Sequence, residues 1–183
     1  MGHEIAKEAA SLGANVVLVT GPTQINLRNN SIKVVNVTSA DEMFEKCFSE
    51  LKKMDYLIMA AAVSDFKPKK ISKTKIKKNI KKTFNLELVK NIDIISELSK
   101  LKKPNQKVIG FALETENEIV NAKNKLEKKQ LDAIILNSIS DENTCFNSDK
   151  NKIHFITKSK TKKFKLKFKN EVAKDILHEI YNL

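Results

Sequence analysis

The segment FKPKKISKTKIKKNIKK, residues 66–82, carries nine lysines in seventeen positions and no acid. It follows DYLIMAAAVSD, a run that reads as a buried strand closing on small residues. A lysine on its flexible stem is a mobile point charge that can close on phosphate and stabilise charge developing there. A cationic flap over a polyphosphate is therefore the chemistry this segment offers, with Lys75, Lys77 and Lys78 at its middle. A solvated loop is the plain alternative, and it accounts for most of the nine.

Other residues of the right type stand where parallel strands would end. In open parallel sheets, ligands sit beyond the carboxyl ends of strands. Four such ends are Gly21-Pro22-Thr23, Ala60 to Asp65, Gly110-Phe111-Ala112 and Leu136-Asn137-Ser138. Alanines 60–62 would let backbone approach a flat ligand such as a base, although tight helix–sheet packing explains them as well. Asp65 is placed to hold a metal ion or a ribose hydroxyl, or merely to cap the next segment. Lys125 and Lys129 are four apart and share a helix face; like charges at that spacing point to a shared anion or to a plain surface.

Composition narrows the classes. With 41% hydrophobic residues in 183, the chain can bury a real core and is expected to form a single domain over 1–183. Its apolar runs are far shorter than the roughly 20 residues a bilayer needs. The opening residues carry charge where a signal peptide would be apolar, so a cytoplasmic location is expected. Cys47 and Cys145 lack metal or redox spacing, and His3, His154 and His178 are scattered, which argues against zinc chemistry and a Cys/His nucleophile. The net charge of +12 calls for an anionic partner, yet Arg28 is the only arginine. Base-reading proteins lean on the arginine fork, so sequence-specific nucleic-acid recognition is not expected. There is no GK[ST] phosphate loop and no GxGxxG.

The elements that must position these residues alternate. Helical spacing over 3–12 ends at Gly13 as a C-terminal cap; NVVLVT and IKVVNV read as strands. Thr38 or Ser39 caps a helix running to about Leu51, with Glu42 in its first turn. DYLIMAAAV, KVIGFAL and LDAIILNS are buried strands, and TFNLELV an extended one. Helices are expected over IDIISELSKL, 115–130 and the closing NEVAKDILHEIYNL. KIHFIT and KKFKLKF suggest an edge hairpin. This predicts an α/β fold: a Rossmann-like three-layer α/β/α sandwich with a mostly parallel sheet, a lysine-rich excursion at about 66–90, and a C-terminal hairpin plus helix. Such units normally open on a strand and a glycine-rich turn, whereas this chain opens on a helix; the expectation is a sequence lacking that first strand and loop.

Taken in order, MGHEIAKEAASLGANVVLVTGPT, MAAAVSDFKP, KIKK, LELVKNIDI, GFALET, AKNKLEKKQLD and FNSDKNK resemble the phosphopantothenate–cysteine ligase family over nearly the whole chain. In bacteria, that domain is commonly the C-terminal half of a bifunctional coenzyme A biosynthesis flavoprotein. The resemblance implies a CTP-dependent ligase that joins 4′-phosphopantothenate to L-cysteine through an acyl-cytidylate. It implies Mg2+ as cofactor, with ligands the sequence does not name, and no flavin on this domain. It also implies a homodimer joined partly through the excursion, and fusion or association with a flavin-dependent decarboxylase. By the same resemblance, CTP contacts fall on Met59, Ala60, Ala61, Asp65, Lys75, Asn91, Ile92, Asp93, Ile94, Phe111, Lys125 and Lys129, with Lys75 as the catalytic flap lysine. Ile92 stands where the family often has proline, Asn137-Ser138 replaces its usual Asn-Asp, and Cys145 replaces a glycine. The rival reading is a non-enzymatic basic module that binds nucleic-acid phosphates through 67–82; an inactive ligase remnant that only dimerises is the other.

Overall fold

The computed structural model describes residues 1–183 except 26, 28, 73, 78–82 and 139–147; of Ser138 only the backbone is described. In chain order the elements are α1 (Gly2–Ser11), β1 (Val16–Thr20), β2 (Ile32–Asn36), α2 (Ala40–Leu51), β3 (Tyr56–Met59), β4 (Phe66–Pro68), β5 (Leu88–Lys90) and α3 (Ile94–Leu101). They continue with β6 (Lys107–Glu114), α4 (Glu118–Lys128), β7 (Ala133–Ser138), β8 (Lys150–Asn151), β9 (Ile153–Ile156), β10 (Thr161–Lys163), β11 (Lys167–Phe168) and α5 (Lys169–Tyr181).

Strands that read as unbroken apolar runs need cover on both faces. The main sheet meets that need in the order β10-β9-β7-β6-β3, with β3, β6 and β7 parallel and β9 and β10 antiparallel at one edge. Strand parity divides β6: Ile109 faces a cluster with Ile5 of α1 and Val172, Ala173 and Ile176 of α5. Val108 and Ala112 face Ala122 and Leu126 of α4 instead. Beside α4, Leu98 of α3 packs with Met43, Cys47 and Leu51 of α2, and Leu57 and Met59 of β3 rest against them. The result is three layers, α1 and α5 on one face and α2, α3 and α4 on the other. Each fully buried Leu or Ile contributes about 1.5–3 kcal/mol.

Local signals place the helices. Ser39 caps α2 by accepting from the Glu42 amide at 3.2 Å, while the Glu42 carboxylate accepts from the Thr38 amide at 2.7 Å. Those amide and hydroxyl donors of Thr38 hold the exposed Glu42 carboxyl below its ordinary pKa. Gly13 follows α1 at φ +87°, where a side chain would be strained.

Three expectations are revised. The parallel strands fall into two sheets: β1 pairs only with β2, and among the described residues no strand bonds to the other side of β1 or to the free side of β3. Val17, Val34 and Tyr56 are consequently exposed. Of TFNLELV only Leu88 and Val89 are strand, continuing to Lys90; among the described residues the pairing before them reaches no further than the Lys69 amide on the Glu87 carbonyl. In the C-terminal hairpin, β10 keeps three residues; Lys167 and Phe168 leave it to pair with Asn151 and Lys150 of β8. Among the described residues no helix is long and apolar enough to cross a membrane.

Candidate functional site

The carboxyl end of β3 lies beside the middle of β6, Met59 opposite Gly110, so the alanine run leaves the sheet next to Phe111 while β6 continues beside β7 to Glu114. The two small-residue stretches have different causes. A Cβ on Gly110 would come within 2.8 Å of Leu131 Cδ1 and 3.0 Å of Ile95 Cδ1, side-chain ends that would have to shift, so close packing is enough to account for glycine there. At the alanines the neighbour is the start of α1: a Cβ on Gly2 would lie 3.5 Å from Ala60 Cβ, in ordinary contact. Ala61 is exposed beside it, which leaves its backbone approachable.

The excursion returns to this rim. β4 and β5 form an antiparallel ribbon, Phe66 opposite Lys90, and its base is closed by two bonds. The Asn91 amide donates to the Asp65 carbonyl at 2.7 Å, and Asn91 Nδ2 donates to the Ser64 carbonyl at 3.1 Å. Asp65 is exposed, and among the described residues its carboxylate has no partner. Asp93 caps α3 through the Ser96 amide at 3.3 Å.

From the other side come Lys125 of α4 and Lys129, which caps its C-terminus. Lys129 Nζ lies 2.9 Å from Asp93 Oδ2, and Lys125 Nζ lies 2.6 Å from Glu114 Oε1 at the end of β6. The shared helix face is open to a shared anion or to a plain surface role; here each ammonium also has its own carboxylate, which offsets the repulsion between them. Glu114 was not among the nominated residues. Its signal was parity: two positions beyond Ala112, it must face α4.

The structure thus gathers Met59, Ala60, Ala61 and Phe111 at one rim, links Asp65 with Asn91, and brings Asp93 to Lys129. Met59 and Ile92 are part-buried and Ile94 is buried, all three in the α2–α3 cluster, so their side chains serve packing and only backbone is available to a ligand. Lys75 and Lys77 are exposed and make no ion pair among the described residues, so the structure does not bring Lys75 to the rim. Lys78 lies outside the described residues, as does Cys145. Elsewhere on the excursion, Lys67 pairs with Asp41 of α2 and Lys69 with Glu87 across the ribbon. Cys47 is buried, and burial pushes its thiol up to about 11, so it is no nucleophile. Two surface hollows are lined by none of the rim residues named above. One of about 470 Å³ sits by His3, Thr20 and Asn36; one of about 300 Å³ sits by Lys102, Asp132 and Lys160.

Fold and rim define a class: a three-layer, Rossmann-like α/β domain with cations and backbone gathered where its parallel strands end, and a basic ribbon beside them. More narrowly, the chain belongs to the DNA/pantothenate metabolism flavoprotein C-terminal domain family, whose model matches residues 1–183. It is 42% identical over 182 residues to the coenzyme A biosynthesis bifunctional protein CoaBC of Borreliella burgdorferi, covering 99% of this chain and 45% of that protein. It is 44% identical over 188 residues to a cysteine/cysteine sulfinic acid decarboxylase from an unknown prokaryotic organism, covering 100% of this chain and 51% of that protein. The crystal structure of the C-terminal domain of a CoaBC protein superposes with a TM-score of 0.80 at 33% identity, over 98% of this chain and 79% of that one. The chain therefore spans about half the length of the relatives it matches.

Proposed function

We propose that this domain is a phosphopantothenate–cysteine ligase, working in the cytoplasm in coenzyme A biosynthesis. The carboxylate of 4′-phosphopantothenate attacks the α-phosphorus of CTP, forming an acyl-cytidylate and releasing pyrophosphate. The amine of L-cysteine then attacks the acyl carbon, loses a proton and expels CMP, leaving an amide. The observation that carries this reading is the convergence at one rim of the family's motif residues: the MAAAVSD turn, the NIDI cap, GFALET and the two lysines of α4. Relatives named for coenzyme A biosynthesis support it, as does the CoaBC domain structure. The decarboxylase relative is about twice as long as this chain, and decarboxylation is assigned to a separate, flavin-bearing half fused to or associated with this one.

In this reading the base lies on the Ala60–Ala61 backbone near Phe111, and Lys125 and Lys129 face the phosphates. Lys75 swings in from the excursion to stabilise charge on the reacting phosphate, an effect typically worth 10²–10³ in rate. Magnesium would neutralise the triphosphate. Among the described residues no three His, Cys, Asp or Glu side chains converge as a ligand set. That donor set still fits an ion carried in on phosphate oxygens and held by one carboxylate, and Asp65 is the unpartnered one at the rim.

The excursion supports a homodimer. Phe66, Ile71, Ile76, Phe84, Leu86 and Leu88 are all more than half exposed, apolar side chains that a second copy would cover.

Mixing the protein with 4′-phosphopantothenate, CTP, magnesium and cysteine should release pyrophosphate and CMP in equal amounts. ATP should not replace CTP. Product absent, together with duplex DNA binding that weakens steeply with salt, would favour the nucleic-acid module instead.

A further inference from the structure

The two carboxylates that hold the α4 lysines are not equivalent. Asp93 is 44% exposed, so when Lys129 turns to an incoming anion, water can take its place. Glu114 is 13% exposed, its Oε1 is out of contact with solvent, and no hydrogen bond reaches that oxygen. Its counter-charge is Lys125 Nζ, 2.6 Å away. An ammonium carries three N–H donors, so one turned to Glu114 leaves the others free to face outward. Lys125 is itself 48% exposed, and the exposed end of the pair is the cation.

Removing the lysine would leave a buried carboxylate uncompensated, which is far costlier than sharing the ammonium. Lys125 therefore cannot follow a ligand out of the pair. We propose that Glu114 is a positioning residue that anchors Lys125 as a fixed cation facing the bound triphosphate, while Lys129 is the releasable one. This deepens the ligase reading and rests on it for the ligand. A lysine ordinarily gives up much side-chain freedom when it grips phosphate. Here that freedom is already spent in folding, so binding does not have to supply it.

Two measurements on the full chain test the proposal. Competitive acetylation read by mass spectrometry should label Lys125 at least threefold more slowly than Lys123, which is exposed on the same helix and makes no ion pair among the described residues. Glu114→Gln, close in volume, should abolish that contrast with the circular-dichroism spectrum unchanged. Calorimetry should show Glu114→Gln weakening CTP about tenfold, although it removes a negative charge beside an anion. Glu114→Gln combined with Lys125→Met should bind no worse than Lys125→Met alone, since Glu114 acts only through the lysine.

Equal labelling of Lys125 and Lys123 in the wild type would overturn the anchoring. So would Glu114→Gln binding CTP as well as or better than the parent, or losses that simply multiply in the double variant. A wild-type chain with the labelling contrast but no CTP uptake would overturn the ligand assigned to Lys125 and the ligase reading with it, while upholding the hold of Glu114 on that lysine.

Discussion

The lysines of α4 and those of the excursion differ in what surrounds them. Lys125 stands on α4 and Lys129 caps its C-terminus; the helix's other face, through Ala122 and Leu126, is sealed against β6 and β7, and each lysine has a carboxylate partner. Lys75 and Lys77 lie beyond the β4–β5 ribbon, exposed and without ion pairs among the described residues. The same side chain thus serves two purposes. Where packing fixes the backbone and a buried acid fixes the head group, as at Lys125, lysine is a preorganised binding charge. Where neither does, it is a reserve of charge that can be brought to a reaction.

The comparison breaks first if the excursion is dispensable. Lys75→Gln should lower kcat by about 10²–10³, the cost of losing a donor to developing charge, with little change in KM for CTP or in thermal stability. A change in KM alone would make Lys75 another binding lysine. Stability should divide the two regions in the opposite sense. Leu98, fully buried between α2 and α3, should cost about 2–5 kcal/mol as Leu98→Ala in urea unfolding.

Glu179 sharpens the packed side further. It is 3% exposed and accepts from Lys162 at 2.6 Å and Lys160 at 3.1 Å. Burial by itself raises a carboxyl's pKa, but here the two ammonium groups outweigh it and hold Glu179 below its ordinary value. With the folded pKa depressed, its contribution is present above the unfolded value of 4.5 and is lost as pH falls through the folded value. Glu179→Gln should cost about 1–3 kcal/mol at pH 7, and the difference from the parent should shrink below pH 4.5. The smallest effect belongs to the excursion: Ile71→Ala, at a residue 89% exposed, should stay within about 0.5 kcal/mol in the monomer. Any larger effect should appear as weakened self-association in sedimentation.

The sequence made some of this legible and hid the rest for physical reasons. Helix caps are local, so Ser39, Glu42 and Gly13 declared themselves by type and spacing. Unbroken apolar runs announced β6 and β7, because only a doubly covered strand tolerates them. An unpaired edge was implicit in the expectation of an absent first strand, but that it falls between β1 and β3 was not legible, since pairing is decided by which edges meet. The strand read over TFNLELV was overestimated because, among the described residues, 83–86 have no ladder partner, and propensity alone does not form a ladder. At the site, residue types indicated cations and a small-residue turn, and the family motifs chose among them. Which carboxylate would meet which lysine required the tertiary structure: Glu114 and Lys125 are joined by helix placement, and Asp93 and Lys129 are 36 positions apart.

A crystal structure with CTP and magnesium tests the central claim most directly. The account expects the cytosine against the backbone of Ala60 and Ala61 near Phe111, phosphate oxygens within about 3 Å of Lys125 and Lys129, and Lys75 drawn in from the excursion. Nucleotide bound at either of the two hollows, or along the exposed ribbon with α4 untouched, would contradict it.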